Sequence, residues 1–160
     1  MQTKTRILPP EILLEEYRKL LEDDAIESLP LVITGGSMSP FLISGRDVVY
    51  LSRPTRPLRR GDAVLYQRKT GQYVFHRIYR VSEEGITMVG DAQTVLEHGI
   101  QPDQIIAIMT SADRNGKHLS PGQFWWDFFE KVWIRILPIR RPVWHIYTLF
   151  AHFFINANKR

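Results

Sequence analysis

DAVLYQRKTGQYVFHRIYRVSEEGITMV, residues 62–89, is three β-rich runs separated by two short turns. Asp62 to Arg68, Gln72 to Ser82 and Ile86 to Val89 are dense in β-branched and aromatic residues, and Lys69-Thr70-Gly71 and Glu83-Glu84-Gly85 punctuate them as turns. Connections this short join antiparallel neighbours, because a parallel pair needs a crossover of a dozen or more residues. The stretch therefore predicts a mainly β (α+β) fold built from antiparallel sheets. Working outward, Val48 to Leu51 and Ile105 to Thr110 read as further strands, and Asn115-Gly116 as another hairpin turn. Gly45-Arg46-Asp47 and Arg60-Gly61-Asp62 read as turns that start strands. No internal repeat or low-complexity run interrupts the pattern, and 160 residues suffice for one substantial core.

Helical periodicity marks the two ends. Pro10 suits the first turn of a helix over Glu11 to Asp24, with Leu13, Leu14, Tyr17, Leu20 and Leu21 on one face and acids opposite. Such a charged helix has the composition of neither a secretory signal nor a membrane anchor, and one helix is too little for a helix-turn-helix. Near the other end, Trp125, Phe128, Phe129, Val132, Trp133 and Ile136 recur at i, i+3, i+4 and i+7, which predicts an amphipathic helix stopped by Pro138. After Arg140-Arg141-Pro142 the run 143–157 is apolar except for His145, Thr148, His152 and Asn156 on one helical side. Fifteen helical residues span about 22 Å, short of the roughly 30 Å hydrocarbon core. The organisation expected is an amphipathic helix in 1–28, a β domain in 29–120 and an aromatic, basic helical tail in 121–160.

The net charge of +4 is not spread evenly. From Phe124 onward there are six Lys or Arg against two acids, all four Trp, and eleven of the eighteen aromatic residues. Basic and aromatic residues concentrated at one end suit a membrane surface better than nucleic acid. The expected partner of 124–157 is therefore a membrane interface, peripheral or C-terminally anchored, with docking on another protein or packing on the β domain as the alternatives. Without cysteine there is no disulfide framework and no Cys-based metal site. The five histidines fall in no zinc-ligand spacing, so neither metal nor cofactor is expected.

Chemistry is suggested by three polar residues. Thr34-Gly35-Gly36-Ser37-Met38-Ser39-Pro40-Phe41-Leu42 follows an apolar strand and sets Ser37 between glycines and a proline-braced turn. The glycines let a substrate backbone approach and let main-chain N–H groups face an oxyanion. His76 lies in the second run of the opening stretch, and Gly90-Asp91 ends the third. A serine, a histidine and an aspartate at strand edges can serve as nucleophile, base and orienting acid.

Gly35 to Pro40, Arg60 to Val64, His76-Arg77-Ile78 and Gly90 to Gln93, in that order, resemble the boxes of the type I signal peptidases across about residues 31–111. The similarity is greatest to the serine–histidine branch, since the main bacterial branch has lysine where His76 stands. The resemblance implies a serine endopeptidase that removes a signal or leader segment after small residues. It makes Ser37 the nucleophile, His76 the general base and Asp91 the orienting acid, with Glu97 a second candidate acid where that branch often has an aspartate. The oxyanion hole would be formed by backbone N–H groups at Gly35 and Ser37, and Met38, Pro40 and Phe41 would border the polypeptide substrate. Three departures stand out: Phe41 where threonine is common, Gly35 where some members place a hydroxyl, and no transmembrane segment before the boxes. Two other functions fit parts of the pattern. One is a self-cleaving regulator, which shares the serine box but uses lysine as base and brings a DNA-binding domain. The other is a non-enzymatic membrane-surface or scaffold protein on a peptidase fold.

Overall fold

The computed structural model describes residues 10–23 and 26–140. One antiparallel sheet of eight strands dominates it, in the order β1-β2-β7-β3-β4-β5-β6, with β8 paired to β7. The strands are β1 (Leu29–Val32), β2 (Val48–Ser52), β3 (Ala63–Gln67), β4 (Tyr73–Ser82), β5 (Gly85–Val89), β6 (Glu97–Ile100), β7 (Ile105–Arg114) and β8 (Lys117–Leu119). Helix α1 (Pro10–Glu22) precedes the sheet, and α2 (Phe124–Asp127) follows it and widens into a π-helix over Phe128–Trp133. The mainly β, antiparallel expectation is met, and the hairpin turns fall where glycine marked them. Asn115 and Gly116 both have positive φ, 49° and 74°, as the turn between β7 and β8 demands. β6 and β8 lack the β-branched runs that announce a strand, and form by pairing with β5 and β7.

The sheet has apolar residues on both faces. Side chains alternate along β4, so Val74, His76 and Ile78 share a face with Val64 and Tyr66 of β3, while Tyr73, Phe75 and Arg77 share the other with Ala63 and Leu65. On the first face Val64, Tyr66, Ile78, Ile86, Met88, Ile100 and Ile108 form one cluster. On the second a larger cluster joins Val49, Leu51 and Leu65 to Met38, Phe41 and Leu42 of the serine loop, Leu21 of α1, and Trp126, Phe129 and Trp133. Both helical ends thus pack on the same core as the sheet. α1 adds a tie to the β3–β4 hairpin, where the Tyr73 hydroxyl donates to Glu15 at 2.6 Å.

The tail helix forms, with a different inner face from the one its spacing suggested. Trp126, Phe129, Glu130 and Trp133 are buried, whereas Trp125 and Val132 are about half exposed at 49% and 46%. The segment is apolar around more than half its circumference, so two stripes compete, and the sheet selects the one that meets Phe41. That ring lies 4.8 Å from Phe129 and 6.3 Å from Trp126, centroid to centroid. Each buried aromatic contributes about 1.5–3 kcal/mol, which favours docking on the sheet. Glu130 tolerates the inner face because Trp126 Nε1 and Arg59 donate to its carboxylate at 3.1 and 3.0 Å. Gly61 lies under this helix, and a Cβ there would stand 2.4 Å from the Glu130 carbonyl oxygen, so only glycine allows the approach. The apolar run 143–157 lies outside the described residues. No helix among the described residues is long and apolar enough to cross a membrane.

Candidate active site

Ser37 opens the turn that leaves β1, and its neighbours fix the turn to the core. Met38, Phe41 and Leu42 are buried at 2%, 0% and 0% exposure, and the Leu42 amide donates to the Met38 carbonyl at 2.9 Å. The Ser39–Pro40 bond is cis. From the other side the Ala92 amide donates to the Ser37 carbonyl at 2.8 Å. A Cβ on Gly90 would stand only 2.6 Å from that carbonyl oxygen, so the Gly90-Asp91 box is glycine because two backbones touch there. Beyond Gly35 and Gly36 there is open space, and the amides from Gly35 to Met38 hydrogen-bond to no acceptor among the described residues. Among them are the Gly35 and Ser37 amides that the resemblance offers as oxyanion donors. Phe41, expected beside the substrate, is instead wholly buried, because its ring fills the space between the serine turn and the tail helix.

His76 and Ser37 line one cavity of about 290 Å³, together with Thr34, Met38, Arg68 and Tyr73. No hydrogen bond joins the two side chains, and the contact His76 does make is to Tyr66. His76 also borders a second cavity of about 370 Å³ that includes Ala92, Gln93 and Glu97. β5 pairs with β4 only from Arg77 onward, so among the described residues the edge of β4 away from β3 has no strand beside it over residues 73–76. Burial pushes the His76 pKa down from its ordinary value to about 4, against the opposing pull of the Glu97 and Asp91 carboxylates. The ring is therefore a neutral base over most of the pH range.

The acid expected to orient His76 does something else. Asp91 is fully buried and grips Arg77, with Arg77 Nε and Nη2 donating to its two oxygens at 3.0 and 2.9 Å. Arg77 also donates to the Gly61 carbonyl at 2.7 Å and lies over the Phe41 ring. The reason is parity: His76 and Arg77 are consecutive on β4 and face opposite sides of the sheet, and Asp91 bonds to the arginine's side. Asp91 therefore holds Arg77 and makes no hydrogen bond to His76, contrary to the orienting role expected of it.

Glu97 lies on the histidine's side, one group removed. The Tyr66 hydroxyl donates to Glu97 Oε2 at 2.7 Å and is 3.4 Å from His76 Nδ1. Arg68 donates to both Glu97 oxygens at 2.7 and 2.6 Å and holds its pKa below the usual carboxylate range. The sequence reading missed Tyr66 and Arg68, although the Lys69-Thr70-Gly71 turn implied them. That hairpin sets Val64 opposite His76 and so puts Tyr66 on the diagonal, within reach of a long side chain.

It also missed Trp133 and Arg140, which brace the loop after β5. Trp133 Nε1 donates to the Asp91 carbonyl at 2.8 Å. Arg140, buried with 2% exposure, donates to the carbonyls of Gly90 and Gln93 at 3.0 and 3.1 Å and to that of Trp133. Burial lowers the pKa of its guanidinium to about 10. No group of three or more metal-ligating side chains occurs among the described residues. In comparisons with known proteins, no family model matches the chain and no curated protein matches it.

Proposed function

We propose that the chain is a serine endopeptidase resembling signal peptidase I, which cuts a signal or leader segment after small residues. The observation that carries the reading is one cavity lined by both Ser37 and a buried, neutral His76, beside backbone amides with no partner among the described residues. A substrate strand adds to the open edge of β4 at residues 73–76, held by main-chain hydrogen bonds. His76 Nε2 takes the Ser37 hydroxyl proton as Oγ bonds to the scissile carbonyl carbon. The resulting oxyanion accepts hydrogen bonds from the amides of Gly35 to Met38. The imidazolium then gives its proton to the departing amine, leaving an acyl-enzyme, and water activated by the same base releases the acid. The preference for small residues rests on the family resemblance.

The exposed apolar residues of the tail favour a membrane surface as the setting. Phe124 is 72% exposed, with Trp125, Val132 and Ile139 near half, and Lys131 and Arg135 are interspersed among them. A peripheral protein held this way would meet leader peptides as they emerge from a bilayer. The test is a library of quenched fluorescent peptides with small residues before the scissile bond. Cleavage should fall at least a thousandfold in Ser37→Ala and in His76→Ala. Equal rates in wild type and both variants sink the proposal. Flotation on anionic vesicles with and without Phe124→Ser and Trp125→Ser tests the setting separately.

A further inference from the structure

We propose that Tyr66 is the positioning residue for His76: its hydroxyl links Nδ1 of the ring to the Glu97 carboxylate and sets the tautomer that leaves Nε2 free. The inference rests on the peptidase reading for its consequence in catalysis, but its structural core stands on donor and acceptor accounting alone.

An ionised carboxylate only accepts, and Arg68 engages both oxygens of Glu97. Tyr66, 2.7 Å from Oε2, must therefore point its one proton at Glu97. Burial and that hydrogen bond also raise the Tyr66 pKa, so the phenol stays a donor throughout the working range. The phenol oxygen then offers only lone pairs to Nδ1, 3.4 Å away. A bare Nδ1 would set lone pair against lone pair, whereas Nδ1–H makes a hydrogen bond. Protonation at Nδ1 leaves the Nε2 lone pair as the base.

The other charged groups around the ring do not compete. Asp91 has both oxygens on Arg77, and Arg68 has its guanidinium on Glu97. When His76 takes the serine proton, the Nδ1–H to Tyr66 to Glu97 chain carries the acid's negative charge toward the imidazolium through one polarised hydroxyl. No proton need move along it. The contact at 3.4 Å is long for a hydrogen bond and should tighten as the ring becomes charged. Tyr66 has no exposure to solvent, so water does not substitute for its hydroxyl in this arrangement.

The experiment uses the full chain with ¹⁵N-labelled histidine and reads the His76 ring nitrogens by NMR at pH 7, in wild type, Tyr66→Phe and Glu97→Ala. Wild type should show a protonated Nδ1 and a bare Nε2. Tyr66→Phe keeps the ring and removes the link, so the two tautomers should mix. Glu97→Ala should reverse the preference: with the carboxylate gone the phenol has no acceptor there, which frees its proton for Nδ1. On a cleaved peptide both variants should lose about 10- to 100-fold in kcat with KM little changed. A wild-type ring protonated at Nε2, or a tautomer unmoved in both variants, overturns the proposal. An inactive wild type with Nδ1–H would remove the peptidase reading and leave the hold of Tyr66 on His76 standing.

Discussion

Burying a neutral histidine makes the fold sensitive to acid in a window set by one residue. His76 is 5% exposed and its pKa is lowered by burial to about 4, against about 6.5 for an unfolded chain. The unfolded state therefore binds a proton that the folded state refuses between those values. Stability rises with pH wherever the unfolded state holds more protons. The contribution is complete above pH 6.5, drains away as the pH falls toward 4, and is constant below. Roughly 2.5 pH units at 1.36 kcal/mol each set an upper figure of about 3.4 kcal/mol, and about 3 kcal/mol of it is lost by pH 4. The assay is urea unfolding of wild type and His76→Gln at half-unit steps from pH 7.5 to 4. Carboxylates with lowered pKa values, among them Glu97 and Asp113, act mainly below this window and are present in both proteins. Wild type should lose about 3 kcal/mol more than the variant. Parallel curves would refute the reasoning, and with it the claim that the ring is desolvated. A cleavage profile in wild type should fall through the same low value, not through 6.5.

Two substitutions address the loop after β5. Asp91→Asn leaves Arg77 buried without its counter-charge and should cost about 3–5 kcal/mol in urea unfolding. The midpoint of the cleavage profile should move only slightly downward, since Asp91 acts on His76 through space, more weakly than Glu97, and without a hydrogen bond; a large shift in midpoint with little loss of stability would show the reverse. Gly90→Ala drives a Cβ against the Ser37 carbonyl and the Gln93 side chain, and should cost about 1–3 kcal/mol while lowering kcat at least tenfold, measured by unfolding and peptide cleavage. Unchanged kinetics would mean that the serine turn does not depend on that contact.

The strands with strong local chemistry were legible, and those that depend on a neighbour were not. β3, β4 and β5 announced themselves by β-branched and aromatic residues between glycine turns, and each was found within a residue or two of its expected bounds. β6, reading Glu-His-Gly-Ile, has no such signal and exists because β5 offers it an edge. Ser37 and His76 were legible as a pair because each is a polar residue in a strongly typed local setting, and the structure brings both to one cavity. The acid was misread because a Gly-Asp step says nothing about which face of the next strand it meets. The alternation along β4 held the answer: a carboxylate bonded to Arg77 cannot also bond to His76, its neighbour on the strand. The buried stripe of the tail helix was missed by one residue because the helix is apolar on two sides, and only the position of Phe41 chooses between them.

That choice ties the tail to the serine. Trp133 and Arg140 donate to carbonyls of Gly90, Asp91 and Gln93, and the Ala92 amide in the same loop donates to the Ser37 carbonyl. Phe129 and Trp126 pack on Phe41, four residues beyond Ser37. The helix therefore braces the serine turn along two routes, one through backbone hydrogen bonds and one through ring packing. An aromatic tail that looks suited to lipid by composition thus has a sufficient reason within the fold for Trp126, Phe129 and Trp133, three of the six aromatic residues in its described part. The outer stripe of Phe124, Trp125 and Val132 lies outside the core, with Trp125 tied to the sheet by the Arg114 guanidinium 5.6 Å from its ring centroid, and it is the part of the described tail that the proposed membrane setting would use. Removing Phe124 and Val132 should leave the serine turn intact, whereas removing the inner stripe cannot, because the same side chains that bury the helix also support the turn that carries Ser37.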